Sequence, residues 1–313
     1  MEETTLTIRS VNISTEKGTI KEPAGQASID KLGIQGDAHA GPWHRQVSLM
    51  SVKSLENFYE RTGRKIKPGE FAENLTIEGM DLTQVHMLDR FVGASVMLEV
   101  TQIGKKCHGD NCAIYREVGK CAMPEEGIFT RVIETGALKV NDTMTFQPKI
   151  HKCLVITMSD RTFSGQYPDK SGEKMEARLR EFLGNHFARW EVERRVIPDE
   201  QHELINLLQT ARSREYDLVM TTGGTGIGSR DIAPETVNIL LDKEIPGIME
   251  MIRMETGKNN PNALLSRSIA GIMKRTLVYT LPGSSKAVDE YLEIILPTLK
   301  HSIYMVNDLD VHG

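Results

Sequence analysis

DLVMTTGGTGIGSRDIAPETV, residues 217–237, decides the fold of the C-terminal half of this chain. The apolar run Asp217–Thr222 predicts a buried strand, Gly223–Gly228 a tight turn, and Pro234 the first turn of a helix. Glycines permit positive φ and close approach of main-chain N–H groups to an anion, and a helix N-terminus adds positive potential. The segment therefore predicts either a phosphate-binding loop or a purely structural turn. It is neither a Gly-x-Gly-x-x-Gly motif nor a Walker loop.

Strand-like and helix-like segments alternate on both sides of this turn. Alternation of this kind predicts a doubly wound, mostly parallel sheet in a three-layer α/β/α domain. We expect an interruption of the last helix near Pro297, because proline removes a helical hydrogen bond. The other predicted strands are Cys153–Met158, Trp190–Ile197 and Thr276–Leu281, and the predicted helices are Glu173–Leu183, a helix after Asp199, and Lys286–Val306.

Two acidic residues follow predicted strands of this domain. Asp231 comes after the glycine-rich turn, and Asp199 follows the strand Trp190–Ile197. Each could act as a helix N-cap, which is the common role of an aspartate at such a position. Each could instead hold Mg²⁺ beside phosphate oxygens, since ligands in open α/β sheets bind beyond the carboxyl ends of the strands. Both alternatives stay open on these residues alone.

The first half of the chain has a different pattern of apolar residues and glycines. Short apolar stretches separated by glycine-containing turns predict a mostly-β barrel or sandwich, with one helix at Ser51–Arg61. The sequence pattern changes from short apolar stretches to alternating strand-like and helix-like segments at residues 147–152. We therefore predict domains at 1–149 and 150–313. The predicted strands of this half include Leu6–Ile13, Gln46–Met50, Asn74–Ile77, Ser95–Ile103 and Thr143–Phe146.

Composition narrows the function classes. The 313 residues carry a formal net charge of −5, which argues against a general nucleic-acid-binding protein. No signal peptide and no apolar run long enough to span a bilayer are visible, so we expect a cytoplasmic protein with no membrane partner. Its four cysteines do not suggest a disulfide framework, because three of them fall between residues 107 and 121.

Ordered matches through the second half make the family apparent. Residues 152–307 resemble the MogA/MoaB family of molybdopterin-binding adenylyltransferases. The departure Leu-Pro-Gly-Ser-Ser at residues 281–285, where many relatives have Leu-Pro-Gly-x-Pro, favours the MoaB side. The matching residues are Ser159-Asp160-Arg161, Ser164-Gly165, Asp169-Lys170, Ile197-Pro198-Asp199, Thr221–Gly226, Arg230-Asp231, Pro234, Pro246-Gly247, Glu250, Arg253, Leu264, Ser266-Arg267 and Leu281-Pro282-Gly283.

The resemblance implies transfer of an adenylyl group from Mg-ATP to molybdopterin with release of pyrophosphate. It places the two acidic positions of the family on Asp199 and Asp231, as catalytic residues that hold Mg²⁺ through the nucleotide. It also implies a homotrimer. The ligand contacts it implies are Ser159, Asp160, Arg161, Thr222, Gly223, Gly224, Thr225, Gly226, Arg230, Gly283, Ser284 and Ser285.

Residues 36–48, GDAHAGPWHRQVS, are dense in groups able to hold a planar anionic ligand, or else form an exposed barrel rim. Farther on, Cys107, His108, Cys112 and Cys121 allow either a metal site of weakly zinc-like spacing or a reactive thiol. For the thiol, Lys105, Lys106 and Arg116 would lower the pKa.

Residues 7–148 resemble a MOSC domain through Gly36-Asp37, His44–Ser48, Gly69–Leu75, and Val100 and Gln102 leading to Cys107. The resemblance implies a mostly-β fold that binds molybdenum cofactor, with contacts at His44 and Arg45, or carries sulfur through a cysteine. Cys107 fits the family position best, ahead of Cys112 and Cys121.

The leading hypothesis is thus a fused enzyme of molybdenum-cofactor synthesis. The alternative is a non-catalytic protein that binds and delivers the pterin, and a general nucleotide-binding regulator is a weaker third. A molybdenum-insertion protein is a candidate partner.

Overall fold

The computed structural model describes residues 4–106, 115 and 121–309. The chain divides into two compact units, Met1–Lys149 and Ile150–Gly313. Each has its own hydrophobic core.

A closed barrel forms the N-terminal domain. Seven strands follow one another in the order β11-β7-β8-β9-β5-β6-β1, and antiparallel pairing of β1 with β11 closes the ring. Closure leaves these strands without a free edge, and their inward side chains fill the core. The strands are β1 (Thr4–Ile13), β2 (Glu22–Pro23), β3 (Gln26–Asp30), β4 (Gly33–Ile34), β5 (Val47–Ser51), β6 (Leu75–Glu78), β7 (Arg90–Val92), β8 (Met97–Ile103), β9 (Ile128–Glu134), β10 (Gly136–Lys139) and β11 (Thr143–Gln147).

Within residues 4–106 and 121–149, the barrel carries the helices α1 (Val52–Thr62) and α2 (Met123–Glu126). Helix α1 begins after Ser51, whose hydroxyl accepts a hydrogen bond from the Ser54 amide, and ends at Gly63 in the left-handed conformation. The expected mostly-β domain is confirmed, α1 lies where the helix Ser51–Arg61 was expected, and the barrel is the correct one of the two β architectures.

The C-terminal domain is built on a six-stranded sheet in the order β13-β12-β14-β17-β16-β15. The first four strands are parallel, and β16 and β15 add an antiparallel edge. The strands are β12 (His151–Met158), β13 (Trp190–Ile197), β14 (Leu218–Thr222), β15 (Lys243–Glu244), β16 (Ala270–Met273) and β17 (Thr276–Leu281). The helices are α3 (Asp160–Phe163), α4 (Lys170–His186), α5 (Gln201–Ser213), α6 (Ala233–Asn238), α7 (Pro246–Asn259) and α8 (Ser285–Val306).

Helices cover both faces of this sheet. Along β12, Cys153 and Val155 pack into one core cluster with residues of α4, α7 and α8. Leu154 and Ile156 point the other way, into a second cluster with residues of α5 and α6. Alternate side chains of a buried strand thus serve two cores, which is why Cys153–Met158 is apolar throughout.

Two expectations for the C-terminal domain are wrong. Asp199 does not cap α5: the capping position is Glu200, which makes no side-chain capping bond, and Asp199 bonds to Asp160 instead. Helix α8 is also uninterrupted, with Pro297 inside it. Leu296 and Leu299 on either side are buried, and this packing offsets the hydrogen bond that Pro297 cannot make.

Candidate functional site

The sheet register brings four strand ends together. Met158 at the end of β12 pairs with Ile197 of β13, Thr157 pairs with Thr222 of β14, and Thr222 pairs with Leu281 of β17. Because these strands are parallel, the segments that follow them all start from one edge of the sheet. The predicted site residues at 159–161, 199, 223–226, 230–231 and 283–285 belong to these segments, and Thr222 is the last residue of β14.

Asp160 links three of these segments. Its amide donates to Oδ2 of Asp199 (3.4 Å), and the Asp199 amide donates back to Oδ1 of Asp160 (3.0 Å). Nη1 of Arg230 donates to Oδ2 of Asp160 (3.1 Å). Two carboxylates and a guanidinium therefore converge at this edge, joined through Asp160.

Asp231 is held by the glycine-rich turn. Its Oδ2 accepts from the Gly228 amide (2.8 Å), and its own amide donates to the Gly228 carbonyl (3.0 Å). The Arg267 guanidinium donates to the carbonyl of Asp231 (2.6 Å) and also contacts that of Gly226. One amide of the predicted anion loop thus binds the protein's own carboxylate, so Asp231 is fixed by the loop and is not a helix cap. Nothing local in the sequence predicts the contact of Arg267 with Asp231, because the two residues are 36 positions apart.

Glycine is required where the loop crosses the other strand ends. Gly223 has φ +101°, and a Cβ there would lie 2.2 Å from the Met158 carbonyl oxygen. A Cβ on Gly283 would lie 3.5 Å from the Gly223 Cα, so the segments after β14 and β17 are in close contact. Thr222 is buried, and its hydroxyl donates to the Pro282 carbonyl (2.8 Å). This Thr222 hydroxyl therefore braces the site.

Some of the other predicted ligand contacts also have local roles. The Ser159 hydroxyl accepts from the Thr162 amide (3.3 Å) and caps α3, and that of Ser284 accepts from the Ala287 amide (3.2 Å) and caps α8. Thr225 is buried, whereas Arg161 is exposed. The start of the 22-residue helix α8 at Ser285 puts positive helix-dipole potential at this edge.

Electrostatics couple the acidic residues. Burial raises the pKa of Asp199, and the negative charges of Asp160 and Asp231 raise it further, against the amide of Asp160 and the charge of Arg230. Asp231 directly follows Arg230, whose guanidinium binds Asp160, so the three carboxylates belong to one cluster. Accumulated negative charge of this kind suits a divalent cation that phosphate oxygens also bind.

Asp199→Asn is expected to stabilise the C-terminal domain at neutral pH, by roughly 0.5 kcal/mol or less after solvent screening. With the pKa raised on folding, ionised Asp199 costs free energy above that pKa, and the cost disappears as pH falls and the carboxyl takes up a proton. Urea unfolding of parent and variant should differ at neutral pH and converge in acid. A variant no more stable than the parent at neutral pH would contradict this reasoning.

The donor set fits Mg²⁺ only together with a phosphate ligand. Among the described residues no group of three or more His, Cys, Asp or Glu side chains is arranged to hold a metal ion by itself. Hard carboxylate oxygens of Asp199 and Asp231 are the ligand type that Mg²⁺ takes in small number beside phosphate oxygens.

A second polar cluster lies in the N-terminal domain. Lys21 and Asp37 form a fully buried ion pair, and Asp37 also accepts from the amides of His39 (2.9 Å) and Ser14 (3.2 Å). Burial opposes ionisation of Asp37, but the bonds from His39 and Lys21 outweigh it and hold its pKa well below the usual range. Burial lowers the pKa of Lys21, which also feels the charge of Glu73. Sequence reasoning missed Lys21, because no motif surrounds it.

The predicted contacts His44 and Arg45 lie beside this cluster's Asp37–His39 segment in sequence. The Arg45 guanidinium stacks 4.7 Å from the centre of the Trp43 ring, whose Nε1 donates to the His39 carbonyl (2.8 Å). Nε2 of His44 lies 3.2 Å from Oε1 of Gln102. Nε of Arg45 is buried and bonds to no group within the described part of the chain. Because a buried donor normally has an acceptor, the buried Nε of Arg45 is consistent with an anionic ligand bound here.

Most of the cysteine predictions fall outside the described residues. Cys107, His108, Cys112 and Arg116 lie there, so their predicted roles stay predictions. Cys121 is half-buried and packs against the cluster around Phe58 and Met123.

Fold and site together define a two-domain protein, a β-barrel joined to an α/β domain with an acidic, glycine-lined site at the carboxyl edge of its sheet. Residues 154–301 match the family described as a probable molybdopterin binding domain, and residues 36–145 match the MOSC domain. The chain belongs to the MogA/MoaB molybdopterin adenylyltransferase family through its C-terminal domain, and its N-terminal domain is a MOSC domain.

Curated relatives align with about half of the chain. The molybdopterin adenylyltransferase of Helicobacter pylori J99 is 37% identical over 154 residues, which are 49% of this chain and 85% of that protein. That of Escherichia coli K12 is 38% identical over 44% of this chain and 70% of its own length. Dictyostelium discoideum gephyrin is 37% identical over 49% of this chain, but the match spans only 22% of gephyrin.

Among solved structures, the molybdopterin biosynthesis enzyme MoaB of Thermus thermophilus is 37% identical. It covers 51% of this chain and 98% of its own, with a TM-score of 0.45. Within the described ranges, no helix of this protein has the length and apolar character needed to span a bilayer.

Proposed function

We propose that the C-terminal domain transfers an adenylyl group from Mg-ATP to molybdopterin and releases pyrophosphate. The main support for this proposal is that Asp199 and Asp231 belong to one polar cluster at the carboxyl edge of the sheet. Asp160 bonds to Asp199 and to Arg230, the residue before Asp231, and the glycine-rich turn holds Asp231 itself. The identity to molybdopterin adenylyltransferases supports the same reaction.

In this reaction the protein has two main tasks: to align the two phosphates and to stabilise the negative charge that develops on them. An oxygen of the pterin's terminal phosphate attacks the α-phosphorus of ATP in line with the bond to pyrophosphate, which breaks. Bound Mg²⁺ would neutralise the charge that develops on the phosphate oxygens. Asp199 and Asp231 would hold and orient the metal–nucleotide complex, while the glycine turn and the start of α8 accommodate the two phosphorylated ligands.

Rigidity of the site supports this role. Asp231 is fixed by the Gly228 amide and by Arg267, and Asp199 is fixed by the reciprocal bonds with Asp160. Such groups do not have to reorganise when charge develops in the transition state, which is the main source of electrostatic catalysis.

For the MOSC domain we propose binding of molybdenum cofactor or transfer of sulfur through Cys107. The stack of Arg45 on Trp43, and the buried Nε of Arg45 that bonds to no group within the described residues, suit a planar ligand with an anionic group. Joining the two domains in one chain raises the concentration of one domain's product near the other. A homotrimer in the cytoplasm and a molybdenum-insertion protein as partner belong to the same proposal.

The 313-residue chain incubated with molybdopterin and Mg-ATP should form adenylylated molybdopterin and pyrophosphate in equal amounts. Mass spectrometry of the pterin and a pyrophosphate assay measure the two products. Binding of molybdopterin with no product would favour the alternative, a non-catalytic protein that binds and delivers the pterin.

A further inference from the structure

The two carboxylate oxygens of Asp160 accept hydrogen bonds from two different segments. Oδ1 accepts from the Asp199 amide and ties the segments after β12 and β13 together. Oδ2 accepts from Arg230, which belongs to the glycine-rich turn after β14. The second bond therefore joins a guanidinium to a carboxylate at the place where a nucleotide phosphate is proposed to bind.

The Asp160–Arg230 ion pair is exposed and easy to exchange. The side chain of Arg230 is 74% exposed and that of Asp160 is 46% exposed. Ion pairs of this exposure contribute little to stability. A polyphosphate offers the guanidinium two parallel charge-assisted hydrogen bonds, which are stronger than a single bond to an exposed carboxylate.

We propose that Asp160 is a positioning residue that holds Arg230 until a nucleotide polyphosphate displaces it. This inference rests on the nucleotide site of the proposed function and adds how that site discriminates among nucleotides. Metal-free ATP must take Arg230 away from Asp160 and then faces an uncompensated carboxylate. Mg-ATP brings a cation that offsets the released charge. Asp160 thus selects the metal-bound nucleotide.

Asp160→Asn separates this role from a structural one. Asparagine can still accept from the Asp199 amide, so the link between β12 and β13 is kept, while the charge that holds Arg230 is lost. We expect the variant to bind ATP in EDTA, and inorganic tripolyphosphate, about fivefold more tightly than the parent. A residue that only braced the loops would, on substitution, weaken binding of both anions.

A double-mutant cycle with Arg230→Gln completes the experiment, measured by isothermal titration with ATP in EDTA, tripolyphosphate and Mg-ATP. Arg230→Gln alone should weaken metal-free ATP binding, and in the double variant the gain from Asp160→Asn should disappear. If the gain persists without Arg230, it comes from removal of a negative charge, and the inference is overturned. It is likewise overturned if Asp160→Asn brings no gain.

Failure of the inference can be told apart from failure of the proposed function. If the parent binds Mg-ATP but Asp160→Asn brings no Arg230-dependent gain in affinity for metal-free ATP, the nucleotide site stands and only the role of Asp160 is refuted. A parent and variants that bind none of the three anions lose both. Since Arg230 is exposed and its replacement leaves the core unchanged, the Arg230→Gln result stays interpretable even if an Asp160 variant folds poorly.

Discussion

Asp231→Asn is expected to lower the rate of adenylyl transfer by at least about a hundredfold, with pterin binding nearly unchanged. Asparagine keeps an oxygen that can accept from the Gly228 amide, so the turn should retain its shape. It removes one of the two charges proposed to hold the metal–nucleotide complex. Pyrophosphate release with molybdopterin and Mg-ATP measures the loss, and pterin titration measures the binding.

Asp308→Asn is the matched control. Asp308 lies beyond the C-terminus of α8 and pairs with Arg275, which directly precedes β17, so it belongs to the opposite edge of the sheet. The Asp308→Asn substitution removes one negative charge, as Asp231→Asn does, but lies outside the proposed site. Turnover should therefore stay at the parent value. Equal turnover by Asp231→Asn and Asp308→Asn would remove Asp231 from the proposed mechanism.

Local pattern predicted the architecture of this site well. The apolar runs Cys153–Met158 and Asp217–Thr222 are buried strands with neighbours on both faces, and such strands show themselves by continuous hydrophobicity. Parallel pairing then sends the segments after them to one edge. That the segments carrying Asp199 and Asp231 start from the same edge follows from these two facts and needs no knowledge of side-chain contacts.

Contacts between residues distant in sequence could not be predicted in the same way. The bond between Asp199 and Asp160 spans 39 residues, and it competes successfully with the capping role that local statistics favour. The buried pair of Lys21 and Asp37 joins residues 16 positions apart, and no local periodicity predicts it. Local rules thus fail here at polar groups whose partners are supplied by tertiary structure.

Gly223→Ala is expected to destabilise the C-terminal domain by at least about 3 kcal/mol. The new methyl group would lie 2.2 Å from the carbonyl oxygen of Met158, and the φ of +101° disfavours any side chain. Neither strand end can move away cheaply, because Thr157 and Thr222 pair in the centre of the sheet and the Gly223 amide donates to the Leu281 carbonyl (3.0 Å). Urea unfolding followed by Trp190 fluorescence in a Trp43→Phe background isolates this domain's transition, since the chain has only these two tryptophans.

Gly247→Ala in the same background separates the strain at Gly223 from the general effect of losing a glycine. Gly247 lies in the first turn of α7, with a φ outside the positive range, and a Cβ there meets no atom within 4 Å. Alanine at that position should change the unfolding free energy by less than about 1 kcal/mol, toward greater stability if at all. If both variants shift the unfolding midpoint equally, Gly223 is not held by the Met158 carbonyl. The turn that fixes Asp231 would then tolerate a side chain at its base, and the rigidity of Asp231 would have to arise from the Gly228 amide and Arg267 without the contact between Gly223 and Met158.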